Sequence, residues 1–215
     1  MHDTLSIDAD SAVQAVRLYN RSIYTKKRRL NIDIDREGYR LFSGGLSHEL
    51  EQLTAQLTFI GDDYGAAQSR FLDHSIAAEA RLIASQLLPD VGRYEETMNS
   101  QLALVDGVPS EASLDQLFRP FNATKRWGVW AAKTLHFVRP TVFPVLDSCA
   151  KKALGVSSLG GTARDYRRFI ELFRNTLLHN ADAMAAAAEI DGGESPTDVK
   201  LLDKVLYEVG RRLGC

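Results

Sequence analysis

The chain has 215 residues, of which 45% are hydrophobic and 25% charged, as in an ordinary globular protein with a full hydrophobic core. Its formal net charge of −2 gives no general attraction to nucleic acid, so any such binding needs a local basic patch. The two cysteines are too few for a disulfide framework, and no spacing of ligands indicates a metal or cofactor. No signal peptide and no apolar stretch of about 18 residues is present, so we expect a cytoplasmic protein without membrane contact.

Apolar residues recur at helical spacing along most of the chain, which predicts a mainly α fold. Helices are expected over residues 10–27, 47–59, 66–88, 94–105, 113–118, 128–138, 148–154, 163–177, 182–190 and 197–213. The last of these has a long apolar face and is expected to dock on the core. No linker demands a domain boundary, so we expect one domain over residues 1–215, with lobes 1–110 and 111–215 as an alternative.

One segment between the first two helices departs from this period. Leu30, Ile32 and Ile34 alternate with polar residues, and an apolar run from Tyr39 to Phe42 follows Gly38. Alternation of this kind is typical of a half-buried strand, so the sequence predicts one small β-hairpin here.

The chain is organised around residues 127–154. A helix over 128–138 ends at Arg139-Pro140, because proline cannot continue the helix and restricts the residue before it. An apolar connector follows, and Asp147-Ser148 begins the next helix. Asp147 has two readings: an N-cap that accepts an amide hydrogen, or a rigidly held catalytic carboxylate.

The pattern G-V-x-x-A…R-P-x-x-F-P-V-x-D, which runs from Gly128 to Asp147, resembles the second half of the helix-hairpin-helix DNA glycosylase signature. It is also similar to uncharacterised bacterial proteins related to that superfamily, and it covers about 30 of the 215 residues. The resemblance implies a glycosylase-like core, DNA rather than RNA as partner, and Asp147 as the catalytic acid that acts on a flipped nucleotide.

The same resemblance implies a basic face and stacking groups beside Asp147. The nucleic-acid-binding residues would be Lys125, Arg126, Trp127, Gly128, Trp130, Lys133 and Arg139. In this set the tryptophans would wedge or stack, and helix-terminal amides near Gly128 would hold phosphate.

The glycines of the family's hairpin are mostly missing from residues 121–129, which read F-N-A-T-K-R-W-G-V. The position of the family's Schiff-base lysine falls at about Val129, and Lys133 follows one helical turn later. The sequence therefore predicts base removal without lyase-type strand cleavage.

A second motif, R-N-x-x-x-H, lies in the predicted helix over residues 163–177 and just beyond it. It resembles the signature of the HEPN ribonucleases, helical proteins that cut RNA without metal, usually across a dimer. This resemblance implies that Arg174 stabilises phosphate charge, that His179 acts as general acid or base, and that Asn175 supports them. A third reading is a non-catalytic helical module, in which Asp147 is only a cap and the tryptophans belong to the core.

Overall fold

The computed structural model describes residues 4–26, 33–65, 75–121 and 127–215, apart from the side chains of residues 22–26 and 127. These residues contain eleven α-helices and no strand, which confirms the mainly α prediction. The helices are α1 (Ala9–Lys26), α2 (Ile34–Leu41), α3 (Leu50–Thr58), α4 (Ile76–Leu87), α5 (Val91–Asn99), α6 (Glu111–Phe118), α7 (Trp127–Val138), α8 (Ser148–Ala153), α9 (Ala163–His179), α10 (Ala181–Asp191) and α11 (Asp198–Arg212).

The predicted β-hairpin is wrong in its second strand, because Ile34–Leu41 forms helix α2. Asp33 begins the helix by accepting a hydrogen bond from the Arg36 amide at 3.1 Å. Glu37 and Arg40 then pair across one helical turn. Residues 30–32, from the first predicted strand, lie outside the described residues. The N-cap and the charge pair favour a helix more strongly than the short alternation of apolar residues favours a strand.

Other predicted helices shift at their ends. The helix expected over residues 47–59 is α3, and one turn of π-helix, Phe59–Asp63, extends it. The helix expected over residues 66–88 is described from Ile76 onward as α4, and residues 66–74 lie outside the described ranges. The π-turn positions Asp63 and Tyr64, which both line the cleft described below.

Buried apolar side chains from both predicted lobes belong to one core cluster, which extends from Ile7 to Leu206. Helix α11 crosses this core and packs against α1, α8 and α10. Its inward residues include Leu202 and Leu206, but Lys200 and Asp203 on the same helix are also buried. A helix that carries buried charges through a core must find partners for them, and these partners define the site described below.

The beginning of α8 and the end of α11 approach each other unusually closely. A Cβ built on Gly210 would lie 2.0 Å from the carbonyl oxygen of Cys149, so only glycine allows this approach. Cys149 is joined by a disulfide to Cys215, with 5.1 Å between the two Cα atoms. The helix that begins at Asp147 is therefore fixed to the helix that carries Lys200 and Asp203.

We expect Gly210→Ala to lower the free energy of unfolding by roughly 1–3 kcal/mol, because the new methyl group meets backbone atoms that cannot move independently. Gly92→Ala in α5 is the matched control, since a Cβ there meets nothing within 4 Å. The control should be stabilised by roughly 0.5–1 kcal/mol through helix propensity. Urea denaturation of both variants checks this, and equal effects would contradict the close approach.

Candidate functional site

A cleft of about 300 Å³ opens where α1, α2, α7 and α11 meet the turn after α3 and the connector before α8. We call it the acidic cleft, because its lining includes four carboxylates, Asp35, Asp63, Asp147 and Asp203. The other lining residues are Tyr19, Ile34, Tyr64, Gly65, Lys133, Val145 and Tyr207. The volume is at the lower end of the range of roughly 300–1,000 Å³ for small-molecule sites, which suits a single ring system or nucleoside.

Asp147 is half-buried in this cleft and caps α8, as its position in the sequence predicts. Its Oδ1 accepts hydrogen bonds from the amides of Cys149 at 2.6 Å and Ala150 at 3.1 Å. Within the described part of the chain no donor reaches its Oδ2. The cap holds the carboxylate in place through one oxygen, so the N-cap and catalytic readings of Asp147 are compatible.

Lys133 on α7 also lines this cleft. Its side chain is buried, and Nζ donates a hydrogen bond to the carbonyl oxygen of Tyr64 at 2.8 Å. Nζ also lies 5.0 Å from the centre of the Tyr64 ring. Burial lowers the pKa of Lys133 to about 8, although the charge of Asp147 acts in the opposite direction. Lys133 is therefore a cleft residue with a perturbed amine rather than part of an exposed basic face.

Beneath the cleft lies the fully buried ammonium of Lys200. Its Nζ is 3.0 Å from Asp35 Oδ1 and 3.0 Å from Asp203 Oδ2. It also donates to the hydroxyls of Tyr19 and Tyr64, each at 3.2 Å. Burial alone would lower the pKa of Lys200, but Asp35 and the other neighbours raise it well above its usual value, so this lysine is charged.

The two carboxylates beside Lys200 are not equivalent. Asp35 accepts hydrogen bonds from Tyr19 at 3.0 Å and Tyr64 at 2.9 Å in addition to its contact with Lys200. Burial would raise the pKa of Asp35, but Lys200 and these hydrogen bonds together lower it. For Asp203, Lys200 is the single donor among the described residues. Burial raises the pKa of Asp203 to about 6, with Asp147 adding to the rise and Lys200 opposing it.

His136 fixes the connector that leads to Asp147. Its ring is fully buried, with Nδ1 2.7 Å from the carbonyl oxygen of Phe143 and Nε2 2.6 Å from the hydroxyl of Tyr39. A carbonyl can only accept, so Nδ1 carries the proton and Nε2 accepts from Tyr39. Burial, together with the nearby charge of Lys200, lowers the pKa of His136 to about 3. The imidazole is thus a neutral link between α2, α7 and the connector.

The structure separates the residues of the predicted nucleic-acid face. Trp130 is buried in the core, where its indole Nε1 donates to the Leu57 carbonyl at 3.1 Å. Arg139 is half-buried, and its guanidinium donates to Asn99 Oδ1 at 2.9 Å. Gly128 is buried against the backbone of Gly161, where any side chain would collide. Trp130, Arg139 and Gly128 therefore have structural contacts.

The remaining members of this predicted face are Lys125, Arg126 and the side chain of Trp127. All three lie outside the described parts of the structure. Of the predicted site residues that the structure describes, the cleft brings together only Lys133 and Asp147.

The two HEPN-like residues lie apart from the acidic cleft. The Arg174 guanidinium donates to the carbonyl oxygens of Leu104 and Val105, at 2.8 Å each, and holds the loop before α6. His179 is exposed at the end of α9. Five residues on a helix correspond to about 140° around its axis, so the two side chains do not share a face within one chain.

Sequence reasoning missed Asp35, Tyr64, Lys200 and Asp203. A signal was present for the last two, because Lys200 and Asp203 interrupt the apolar face of α11 at a spacing that puts them on one side of the helix. No local pattern links them to Asp35, which lies far away in the sequence.

A larger groove of about 480 Å³ lies between α4, α5 and α6, with Asp90, Arg93 and Arg119 exposed along it. Tyr94 is a buried titratable residue of this groove, and its hydroxyl donates to the Leu117 carbonyl at 2.8 Å. Among the described residues of the groove, however, no charged side chain is buried with a charged partner as Asp35, Lys200 and Asp203 are at the acidic cleft. Strongly perturbed titratable groups cluster at functional sites, so the smaller acidic cleft is the better candidate.

Comparison with known proteins gave no matching family model, curated protein or solved structure. Among the described residues no group of three or more histidine, cysteine or acidic side chains could hold a metal ion. No helix in the described ranges is long and apolar enough to cross a membrane. Fold and site thus define an α-helical protein with an acidic cleft built around a buried lysine.

We expect stability to fall as the pH drops from about 6.5 towards 3, in part because of His136. Over this range the unfolded chain binds a proton that the buried imidazole cannot take up, at roughly 1.4 kcal/mol per pH unit at most. Denaturation midpoints of His136→Gln across this range should show a shallower loss. Leu135→Ala, on the same helix, should lose stability with an unchanged slope, and parallel slopes for all three proteins would contradict the assignment.

Proposed function

We propose that the protein removes a base from DNA by hydrolysis of the N-glycosidic bond, with Asp147 as the carboxylate that stabilises the developing sugar cation. The observation that carries the proposal is that Asp147, the residue identified by the glycosylase resemblance, lines a cleft together with the acidic residues Asp35, Asp63 and Asp203 and with Lys133. Fixed negative charge around a reacting centre favours a transition state that becomes positive.

In the proposed reaction the bond between C1′ and the base nitrogen breaks, and its electron pair leaves with the base. Water adds to C1′ and loses one proton, while the departing base gains one, so that the products are the free base and an abasic sugar. Asp147 is held by two amides through Oδ1, which allows its Oδ2 to face C1′ or the attacking water.

The charge of the cleft also restricts what can enter it. The charge of Asp147 disfavours a phosphate beside it, so the sugar and base of a single extruded nucleotide would occupy the cleft and the phosphates would stay outside. The volume of about 300 Å³ fits this arrangement.

Asp147→Asn should lower the rate of base release by at least about 100-fold, because asparagine can still cap α8 but carries no charge. Asp8→Asn is the matched control, since Asp8 also accepts from a backbone amide, that of Ser11, at the start of a helix and is exposed. The measurement is release of free base from labelled duplexes that contain hypoxanthine, uracil, 8-oxoguanine or 7-methylguanine. No release by the wild type from any duplex would reject the proposal.

The same assay tests the role of Lys133. Strand cleavage without added alkali, lost in Lys133→Met, would show that the amine acts as a nucleophile and that the prediction of simple hydrolysis is wrong. Structured RNA in the presence of EDTA serves as a parallel substrate. If the protein cuts that RNA, and if this activity is lost in His179→Ala but kept in Asp147→Asn, the HEPN-like function replaces the glycosylase proposal.

A further inference from the structure

Two carboxylates in the acidic cleft differ in what surrounds them, although both lie on helix N-terminal halves and face the same space. Asp147 at the start of α8 is half-buried, and its Oδ1 accepts from two backbone amides. Asp203 on α11 is 4% exposed, and the Lys200 ammonium is its one donor among the residues that the structure describes. Burial without sufficient donors favours the protonated form of a carboxyl group, whereas amide donors favour the carboxylate.

The Lys200 cluster explains why Asp203 is the group that takes up a proton. One ammonium can compensate the charge of one carboxylate. The charged form of Asp35 is stabilised more strongly than that of Asp203, because Asp35 also accepts hydrogen bonds from Tyr19 and Tyr64. With Asp35 and Lys200 charged, a charged Asp203 leaves a surplus negative charge in a buried cluster. A neutral Asp203 removes this surplus and keeps its contact with Lys200.

We propose that Asp203 is the proton donor to the leaving base, and that Asp147 is the charged partner that stabilises the sugar cation. This inference rests on the function proposed above. The carboxylic acid of Asp203 gives its proton to a ring nitrogen of the base as the bond to C1′ breaks. The resulting carboxylate then accepts a proton from the water that adds to C1′, which restores the acid.

Two carboxyl groups in one site can act near neutral pH as proton donor and as charged stabiliser when their environments make their pKa values different. The rate should therefore follow the protonated fraction of Asp203 and decline about tenfold per pH unit above about 6, where burial places its pKa. The titratable groups that interact electrostatically with Asp203 are Lys200 on its own helix, Asp35 and Tyr39 on α2, Tyr19 on α1, Tyr64, Lys133 on α7, Asp147 and Tyr166 on α9.

The test compares two leaving groups in otherwise identical duplexes, under single-turnover conditions with the full chain. Hypoxanthine needs a proton to leave as a neutral base, whereas 7-methylguanine is already cationic and leaves as a neutral base without one. Asp203→Asn should lose at least about 100-fold in the release of hypoxanthine and less than about tenfold in that of 7-methylguanine. Asp147→Asn should lose both activities.

Asp191→Asn is the matched control, because Asp191 is equally buried and pairs with Lys204 of α11 at 2.6 Å but does not line the cleft. It should release both bases at the wild-type rate. The pH profile of the wild type needs no variant and guards against misfolding of Asp203→Asn. A decline above about pH 6 is expected for hypoxanthine, and a flat profile for 7-methylguanine.

Two results would overturn the role of Asp203 and leave the role of Asp147 standing. One is an equal loss of release rate for both bases in Asp203→Asn, and the other is the same pH profile for both bases in the wild type. Release of 7-methylguanine alone by the wild type would also overturn it, since no proton donor would then be acting. Release of neither base, nor of any other, would instead reject the glycosylase function itself, and this inference would fall with it.

Discussion

The buried ammonium of Lys200 is the constraint on which the arrangement of this molecule depends. A fully desolvated charge must be compensated, and loss of one partner of a buried pair typically costs about 3–5 kcal/mol. The compensation comes from other parts of the chain, with Asp35 on α2, Tyr19 on α1 and Tyr64 after the π-turn. These segments must therefore meet at α11, and the acidic cleft opens at their meeting point.

The cleft and the cluster beneath it hold more buried ionisable groups than stability alone would select. Apolar residues at the positions of Asp203 and Lys200 would fill the core of α11 without a desolvation penalty. Asp203 has one donor among the described residues, and its pKa is raised by burial and by the nearby Asp147, which departs from the usual pairing of buried charges. Such departures are expected at sites where a functional requirement lowers the stability of the fold. They therefore support the proposal that the cleft is a catalytic site.

The sequence predicts the elements that depend on local signals. The end of α7 at Arg139-Pro140 and the cap of α8 by Asp147 follow from proline geometry and from capping, and both lie where expected. The hairpin prediction is wrong in its second strand because it relied on three alternating apolar residues and not on Asp33, which is an N-cap signal for a helix. The partnership of Lys200 with Asp35 could not be predicted, since no local physical rule joins residues so distant in the chain.

Tryptophan illustrates why residue type alone misleads. In a motif beside a candidate catalytic acid, an aromatic side chain suggests stacking on a base, and Trp130 has that position in the sequence. Its burial and its hydrogen bond to the Leu57 carbonyl make it a link between α7 and α3. Only the direction of the side chain decides between the two roles, and that direction depends on which face of α7 meets the core.

Asp147 and Asp203 belong to different helices, so the joint action proposed for them requires that α8 and α11 keep a fixed relation. Three contacts provide it: the close approach of Gly210 to the backbone of Cys149, the disulfide from Cys149 to Cys215, and the hydrogen bond between Lys152 Nζ and the Gly214 carbonyl at 2.9 Å. The connector before α8 is fixed independently by His136. Since a shift of about 1 Å in a catalytic group can cost about 100-fold in rate, these contacts outside the cleft would affect the proposed reaction.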